Sequence, residues 1–295
     1  MVHRSLVRLS IVAVLACSLF PALRWDRSSA WAQSPGGAST QPAAAGPKPA
    51  IGSDASQPNE HPLMPVLRWG QKSLKTVEKI QDYSATMVKR ERIDGKIGDP
   101  EYMFIKVRHK PLSVYMYFLK PDHLKGQEVL WIQGQNNGKM WGHAQGIRKV
   151  FGTVPLDPTG PVAMKGNRYP ITEIGLLNLV RRLIEEGEKD TQYGECEVKY
   201  FPGAKINGRS CTCIQVVHPV PRRNFQFHLA RIFVDDEYSL PVRFEAYDWP
   251  TQQGGQPELI EEYTYVNIKI NNGLTDADFD LRNPAYGFKS RSPDR

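Results

Sequence analysis

From Pro62 onward the apolar positions fall into two distinct rhythms. Leu63, Val66, Leu67, Gly70, Leu74, Val77 and Ile80 recur at three- and four-residue steps, with Arg68, Lys72, Lys75 and Lys79 mostly opposite, which predicts an amphipathic helix. A series of strand-like runs follows, over residues 83–93, 102–108, 112–119, 127–133 and 139–143. Asp94-Gly95 and Asn136-Asn137-Gly138 punctuate it. Such pairs supply the positive φ that tight hairpins need, and strands joined so closely pair antiparallel. Residues 152–170 carry Pro155, Pro158, Pro161 and Pro170 and read as a long loop. A second helix is expected after it, capped by Thr172. Ile174, Leu177, Val180 and Ile184 form its stripe, widened by Leu176, Leu179 and Leu183, and it ends at Glu185-Glu186-Gly187. Strands resume over 196–201, 209–218 (after Asn207-Gly208), 225–234, 242–247 and 259–270. Residues 274–288 read as irregular, with Phe279, Tyr286 and Phe288 available to dock them. About ten strands and two helices without βαβ alternation exclude a doubly wound fold. The expected class is α+β: a strongly curved antiparallel sheet or open β-barrel with two main amphipathic helices packed on it.

Antiparallel sheets usually keep one face wet, so apolar and polar residues alternate along each strand. Several strands here are apolar on both faces. Leu112, Val114, Met116 and Phe118 oppose a phase that is mainly Tyr and Leu, Met103, Ile105 and Val107 oppose Tyr102 and Phe104, and residues 129–132 are apolar throughout. Two covered faces need two partners, and only two helices are in sight. The pattern therefore predicts a greasy interior that the helices do not fill, a chamber for a lipid or lipoprotein acyl chain. Its expected lining is Met103, Ile105, Val114, Met116, Phe118 and Trp131, with Val162 and Met164 on a movable rim formed by the Pro-rich loop. The competing expectation is a filled interior, in a structural or interaction module whose exposed aromatics (Tyr115, Tyr117, Trp141) dock an envelope protein.

The ends of the chain bear on compartment. A basic start (His3, Arg4, Arg8), an apolar run over 9–23 and Ala30-Trp31-Ala32 make residues 1–32 an expected signal peptide cleaved before Gln33. The run of about 15 residues is short of the roughly 20 that span a bilayer. A retained anchor and lipidation at Cys17 rank below it. Residues 33–61, rich in Ala, Pro, Gly, Ser and Gln, read as a disordered linker. Residues 62–290 are then one domain, and 291–295 a tail. The location implied is periplasmic or extracellular. Of the net +7, Arg4, Arg8, Arg24 and Arg27 against Asp26 carry nearly half. The remainder is mildly basic, which suits loose attraction to a membrane surface and does not suggest nucleic acid.

No catalytic constellation stands out. The histidines lack metal-ligand spacing on one helix, and there is neither a Gly-x-Ser-x-Gly elbow nor a phosphate loop. No cofactor or metal is expected. Cys211 and Cys213, two apart on one strand, share a face and cannot easily bond each other, so the expectation is a disulfide from Cys196 to one of them. A thiol- or His-dependent hydrolase is the least favoured reading.

Five motifs, in order, carry a resemblance: Leu156-Asp157-Pro158, residues 168–175 (RYPITEIG), Tyr247-Asp248-Trp249-Pro250, residues 261–265 (EEYTY) and residues 273–280 (GLTDADFD). Together they resemble an exported bacterial family, domain of unknown function 1571, over about residues 65–290. The resemblance implies export and no established activity. The layout is more distantly similar to the lipoprotein carriers LolA and LolB, which implies an open barrel closed by helices over an apolar cavity. The carriers' lid-controlling arginine has no matching position, the nearest guess being Arg168 beside the loop.

Overall fold

The computed structural model describes residues 59–144, 152–252 and 254–288. The expected signal peptide, Cys17, most of the linker and residues 291–295 lie outside them. Glu60 and His61, the end of the expected linker, already engage the domain: Glu60 pairs with Arg68 at 2.7 Å, and His61 Nε2 lies 2.7 Å from the Tyr193 carbonyl.

The strands are β1 (Asp82–Ile93), β2 (Lys96–Ile97), β3 (Glu101–His109), β4 (Leu112–Lys120), β5 (Glu128–Ile132), β6 (Met140–His143), β7 (Thr153–Leu156), β8 (Glu197–Ile206), β9 (Arg209–Val217), β10 (Leu229–Asp235), β11 (Pro241–Asp248) and β12 (Glu258–Ile270). They form one antiparallel sheet ordered β7-β6-β5-β4-β3-β1-β12-β11-β10-β9-β8, with β2 paired to β1. Two meanders thus run outward from a central seam in which Tyr83 faces Ile270 and Glu91 faces Glu261. The ends, β7 and β8, do not pair with each other, so the curved sheet stays open. The Asp94-Gly95 and Asn207-Gly208 turns take positive φ at both positions, as the sequence predicts.

The predicted loop is partly ordered, holding β7 and a short helix α2 (Pro161–Met164). Pro155 is tolerated in β7 because an edge strand has one side free of ladder bonds. Residues 225–228 precede β10 instead of joining it, because Phe225 turns in to stack on the buried His218 ring at 3.9 Å.

Two main helices cover one face, here called inner. Helix α1 (Met64–Val77) has Pro65 in its first turn, where a missing N–H costs nothing. Helix α3 (Leu176–Asp190) is not capped by Thr172, which lies in a 3-10 turn upstream. Its N-cap is Gly175 (φ 118), which has no side chain to offer. The sheet supplies the cap: the Leu176 N–H donates to the Tyr83 hydroxyl at 2.9 Å, and Tyr265 hydrogen-bonds the Gly175 backbone. A Cβ at 175 would lie 3.1 Å from the Tyr83 oxygen, so glycine is needed for space as well as for φ. The helices cross where Gly70 meets Ile184 and Gly187 meets Leu67, each glycine leaving room for the other helix's side chain.

The second apolar face has its own cover. Leu274, Phe279, Leu281, Tyr286 and Phe288 of the C-terminal tail pack on the outer side of β3–β6 against Tyr115, Leu130, Tyr117 and Trp141. Tyr115 and Tyr286 stack at 4.0 Å. Lys106 pairs with Asp278 at 2.7 Å, and Arg108 pairs with Asp276 at 2.6 Å. Aromatics expected to dock an outside partner are therefore occupied by the chain's own tail. Beyond β12 the outer face carries a polar group centred on Arg243 with Glu245, Glu262 and Thr264, beside a smaller apolar cluster that includes Cys213, Phe233 and Val266.

The Gly287 N–H donates to both carboxylate oxygens of buried Glu128, at 2.8 and 3.0 Å. Burial raises the Glu128 pKa against the opposing pull of that N–H. A carboxyl whose folded pKa lies above its unfolded value binds its proton more readily when folded, so its contribution is lost as pH rises through the folded pKa. Urea melts across pH 4 to 7 are expected to show this loss, and Glu128→Gln to flatten it. A Glu128→Gln profile parallel to the native one would refute the assignment.

The three described cysteines are free thiols, and the expected disulfide is not formed. Cys196 packs with Ile214 and Val216 on the inner side, whereas Cys211 and Cys213 pack with Phe233 on the outer. The sheet itself separates them.

Candidate ligand site between the sheet and the helices

Met103, Ile105, Val114, Met116 and Trp131 all point to the inner face and are buried there, with Phe118 at the margin of the same cluster. Most of this space is packed solid. Ile105 and Val114 contact neighbours on all sides, and the Trp131 indole N–H donates to the Gly138 carbonyl at 3.1 Å. Met103, Met116 and Phe118 do line a cavity of about 80 Å3, with Met87, Met140 and Ala163. Val162 is 69 % exposed and turned away from it, and Met164 is not among its lining residues; on α2 it is Ala163 that faces in.

A second apolar cavity, also about 80 Å3, lies between both helices and β9–β12. Trp69 and Leu183 line it from the helices, Leu63 from the N-cap of α1, and Ile232, Phe244 and Ala246 from the sheet. Tyr169, at the end of the Pro-rich loop, forms a wall of both cavities.

Tyr169 is held by a buried polar cluster that the sequence reading did not single out. Its hydroxyl bonds both oxygens of Glu261, at 3.1 and 2.9 Å, and Arg168 Nε donates to the same carboxylate at 2.8 Å. The Arg168 backbone N–H donates to Glu91 at 3.2 Å, and Glu91 also accepts from Tyr263 and from Lys89. Lys89 in turn pairs with Glu101 at 3.3 Å and donates to Asn167 on the loop. Arg182 from α3 lies over the Tyr169 ring at 4.0 Å. Loop, helix and central seam are thus tied by one network, with Lys89, Glu91 and Glu261 nearly inaccessible to water.

Burial raises the Glu261 pKa, with Arg168 and Tyr169 pulling it back. Burial and then the Glu261 charge push the Tyr169 hydroxyl up to about 12, and the same two causes, with Glu91 added, push Tyr263 higher still. Charges in such surroundings persist only when paired and hydrogen-bonded, and removing one partner strands the rest. A signal was present in the sequence: Lys89 and Glu91 share the β1 phase of Tyr83 and Met87, opposite charges on the face that buries its neighbours.

A larger open groove, about 950 Å3, runs between the tail and β5–β7 on the outer face. Phe288 in its wall adjoins residues outside the described set, so this volume does not define a site. No cluster of three or more His, Cys, Asp or Glu among the described residues is placed to hold a metal ion, and no described helix is long and apolar enough to cross a membrane. Burial pushes the Cys196, Cys211 and Cys213 thiols each up to about 12, leaving them protonated and unreactive at neutral pH.

The chain is similar in shape to several solved proteins. The lipoprotein LppX of Mycobacterium tuberculosis shares 13% identity, with 73% of this chain and 98% of that one covered, at a TM-score of 0.41. A putative outer membrane lipoprotein-sorting protein domain from Vibrio parahaemolyticus shares 12%, with 72% and 95% covered, at 0.35. A LolA superfamily protein from Nitrosomonas europaea shares 11%, with 72% and 97% covered, at 0.30. Comparison with curated proteins gives no sequence match. One family model does match, over residues 80–288, described as protein of unknown function (DUF1571). That span takes in both meanders, the polar cluster under the loop and the docked tail, and the chain belongs to the DUF1571 family.

Proposed function

We propose that this is a non-enzymatic protein of the cell envelope that binds the acyl chain of a lipid or lipoprotein between its helices and the inner face of the sheet. The observation that supports this most is the pair of apolar cavities divided by Tyr169. Each is about half the size of the ~150 Å3 engineered cavity that accepts benzene, so the closed form has no room for an acyl chain. Lifting the loop withdraws Tyr169 and joins the two. The drive is burial of methylenes, each contributing about 0.8 kcal/mol.

Native mass spectrometry of the protein from its own envelope, with exchange of an added fluorescent fatty acid, tests the reading. An adduct mass and saturable exchange are expected. A bare protein mass with no exchange, under conditions where loop opening is shown by proteolysis at 157–167, sinks the proposal and leaves a tethered interaction module with a filled core. Tyr169→Ala is expected to bind the same probe about tenfold more tightly, since two more enclosed methylenes contribute about 1.6 kcal/mol.

A further inference from the structure

Glu261 lines the cavity between the helices and β9–β12, and both groups that satisfy its carboxylate come from the loop. Among the described residues its hydrogen-bond partners are the Tyr169 hydroxyl and Arg168 Nε. The other elements around it offer no replacement. Glu91, directly across the seam on β1, is a like charge and is held by Lys89, Tyr263 and the Arg168 backbone N–H. Lys89 is shared among Glu91, Glu101 of β3 and Asn167. From α3, Arg182 lies over the Tyr169 ring and pairs with Glu173, while Glu186 and Asp190 line the same cavity as two more acids. On β11 the residue beside Glu261 is Ala246.

Lifting the loop takes both partners away at once. An acyl chain that fills the joined space brings methylene groups to Glu261 and no donor. A carboxylate left against hydrocarbon without a partner is costly, and a buried acid escapes that cost by taking up a proton. From this geometry we infer that filling the chamber places a proton on Glu261, so that acyl binding and proton uptake are one coupled event. The inference rests on the acyl-binding reading above and adds a pH dependence to it.

Burial already raises the Glu261 pKa in the closed form, and Arg168 and Tyr169 oppose the rise. Withdrawing those two leaves burial unopposed, with the Glu91 charge adding to it. The filled form therefore holds the proton to higher pH than the closed form does. Affinity then strengthens as pH falls through the window between the closed-form and filled-form values, by at most about tenfold per pH unit for a single proton.

The test is titration with N-phenylnaphthylamine, an uncharged fluorescent probe that does not ionise between pH 5 and 8, on the native protein, Glu261→Gln and Glu128→Gln. The native protein is expected to bind more tightly as pH falls across this range, and to raise the pH of a weakly buffered solution as it binds. The proton uptake is read on the native protein alone, so it decides the matter whether or not a variant folds. Glu261→Gln, of the same shape and neutral at every pH, is expected to bind with one affinity throughout and to take up no proton. Glu128→Gln is the control and is expected to keep the native slope, because burial raises that carboxyl too but it holds the tail at Gly287. A native affinity independent of pH, or a slope that survives in Glu261→Gln, overturns the inference and leaves the acyl chamber standing. Failure of the native protein to bind the probe at any pH sinks the chamber and the inference together.

Discussion

Glu91→Ala lowers the unfolding free energy by about 3–5 kcal/mol, the usual cost of removing one member of a buried charge pair. Glu91 takes three donors at once: the Lys89 ammonium at 3.2 Å, the Tyr263 hydroxyl and the Arg168 backbone N–H at 3.2 Å. Alanine strands all three. Lys89 keeps Glu101 and Asn167, which limits its loss, but the phenol and the amide lose the acceptor they hold. Glu91→Gln keeps acceptor oxygen while losing the charge, so its cost is expected to be clearly smaller. Urea unfolding of both variants decides the matter. A Glu91→Ala protein within 1 kcal/mol of native would mean that the loop does not rest on the seam in solution.

The other large effect belongs to the tail. Phe279→Ala is expected to cost about 3–5 kcal/mol, as for other fully buried phenylalanines. Phe279 is 2 % exposed and lies under the Arg108 guanidinium, 4.9 Å from its ring centre. Ending the chain after Gly273 goes further, because Tyr115, Leu130 and Trp141 then form a bare apolar patch on the outer face. Such patches drive association, so the shortened protein is expected to elute from size exclusion as oligomers or precipitate. A shortened chain that stays monomeric with native-like melting would show that the tail contributes nothing to the cover.

The elements were legible because their signals are local. Asn-Gly and Asp-Gly turns, two-residue alternation and two helical stripes place ten of the strands and both main helices within a few residues. What failed needed partners distant in sequence. Thr172 looked like a cap because the true cap, the Tyr83 hydroxyl, comes from another element. Cys196 looked bondable to Cys211 or Cys213 because no local pattern tells which side of the sheet the turn before β8 faces. Tyr115 and Trp141 read as exposed aromatics because the tail that packs on them carries its aromatics at irregular spacing. Met103, Ile105, Val114, Met116 and Trp131 share one buried cluster on the inner face. The divider was missed, because a tyrosine after a Pro-rich loop gains its role only from Glu261, far along the chain.

The strand order also governs the sequence of folding events. β1 is made first, but one of its partners, β12, is made last, so the middle of the sheet cannot zip until residue 258 and beyond are available. A nascent chain carries β1 with one raw edge throughout its synthesis, and Lys89 and Glu91 stay hydrated until that edge is met. Pairings so remote in sequence are slow to form. The interval before they do is when this chain is most exposed to aggregation.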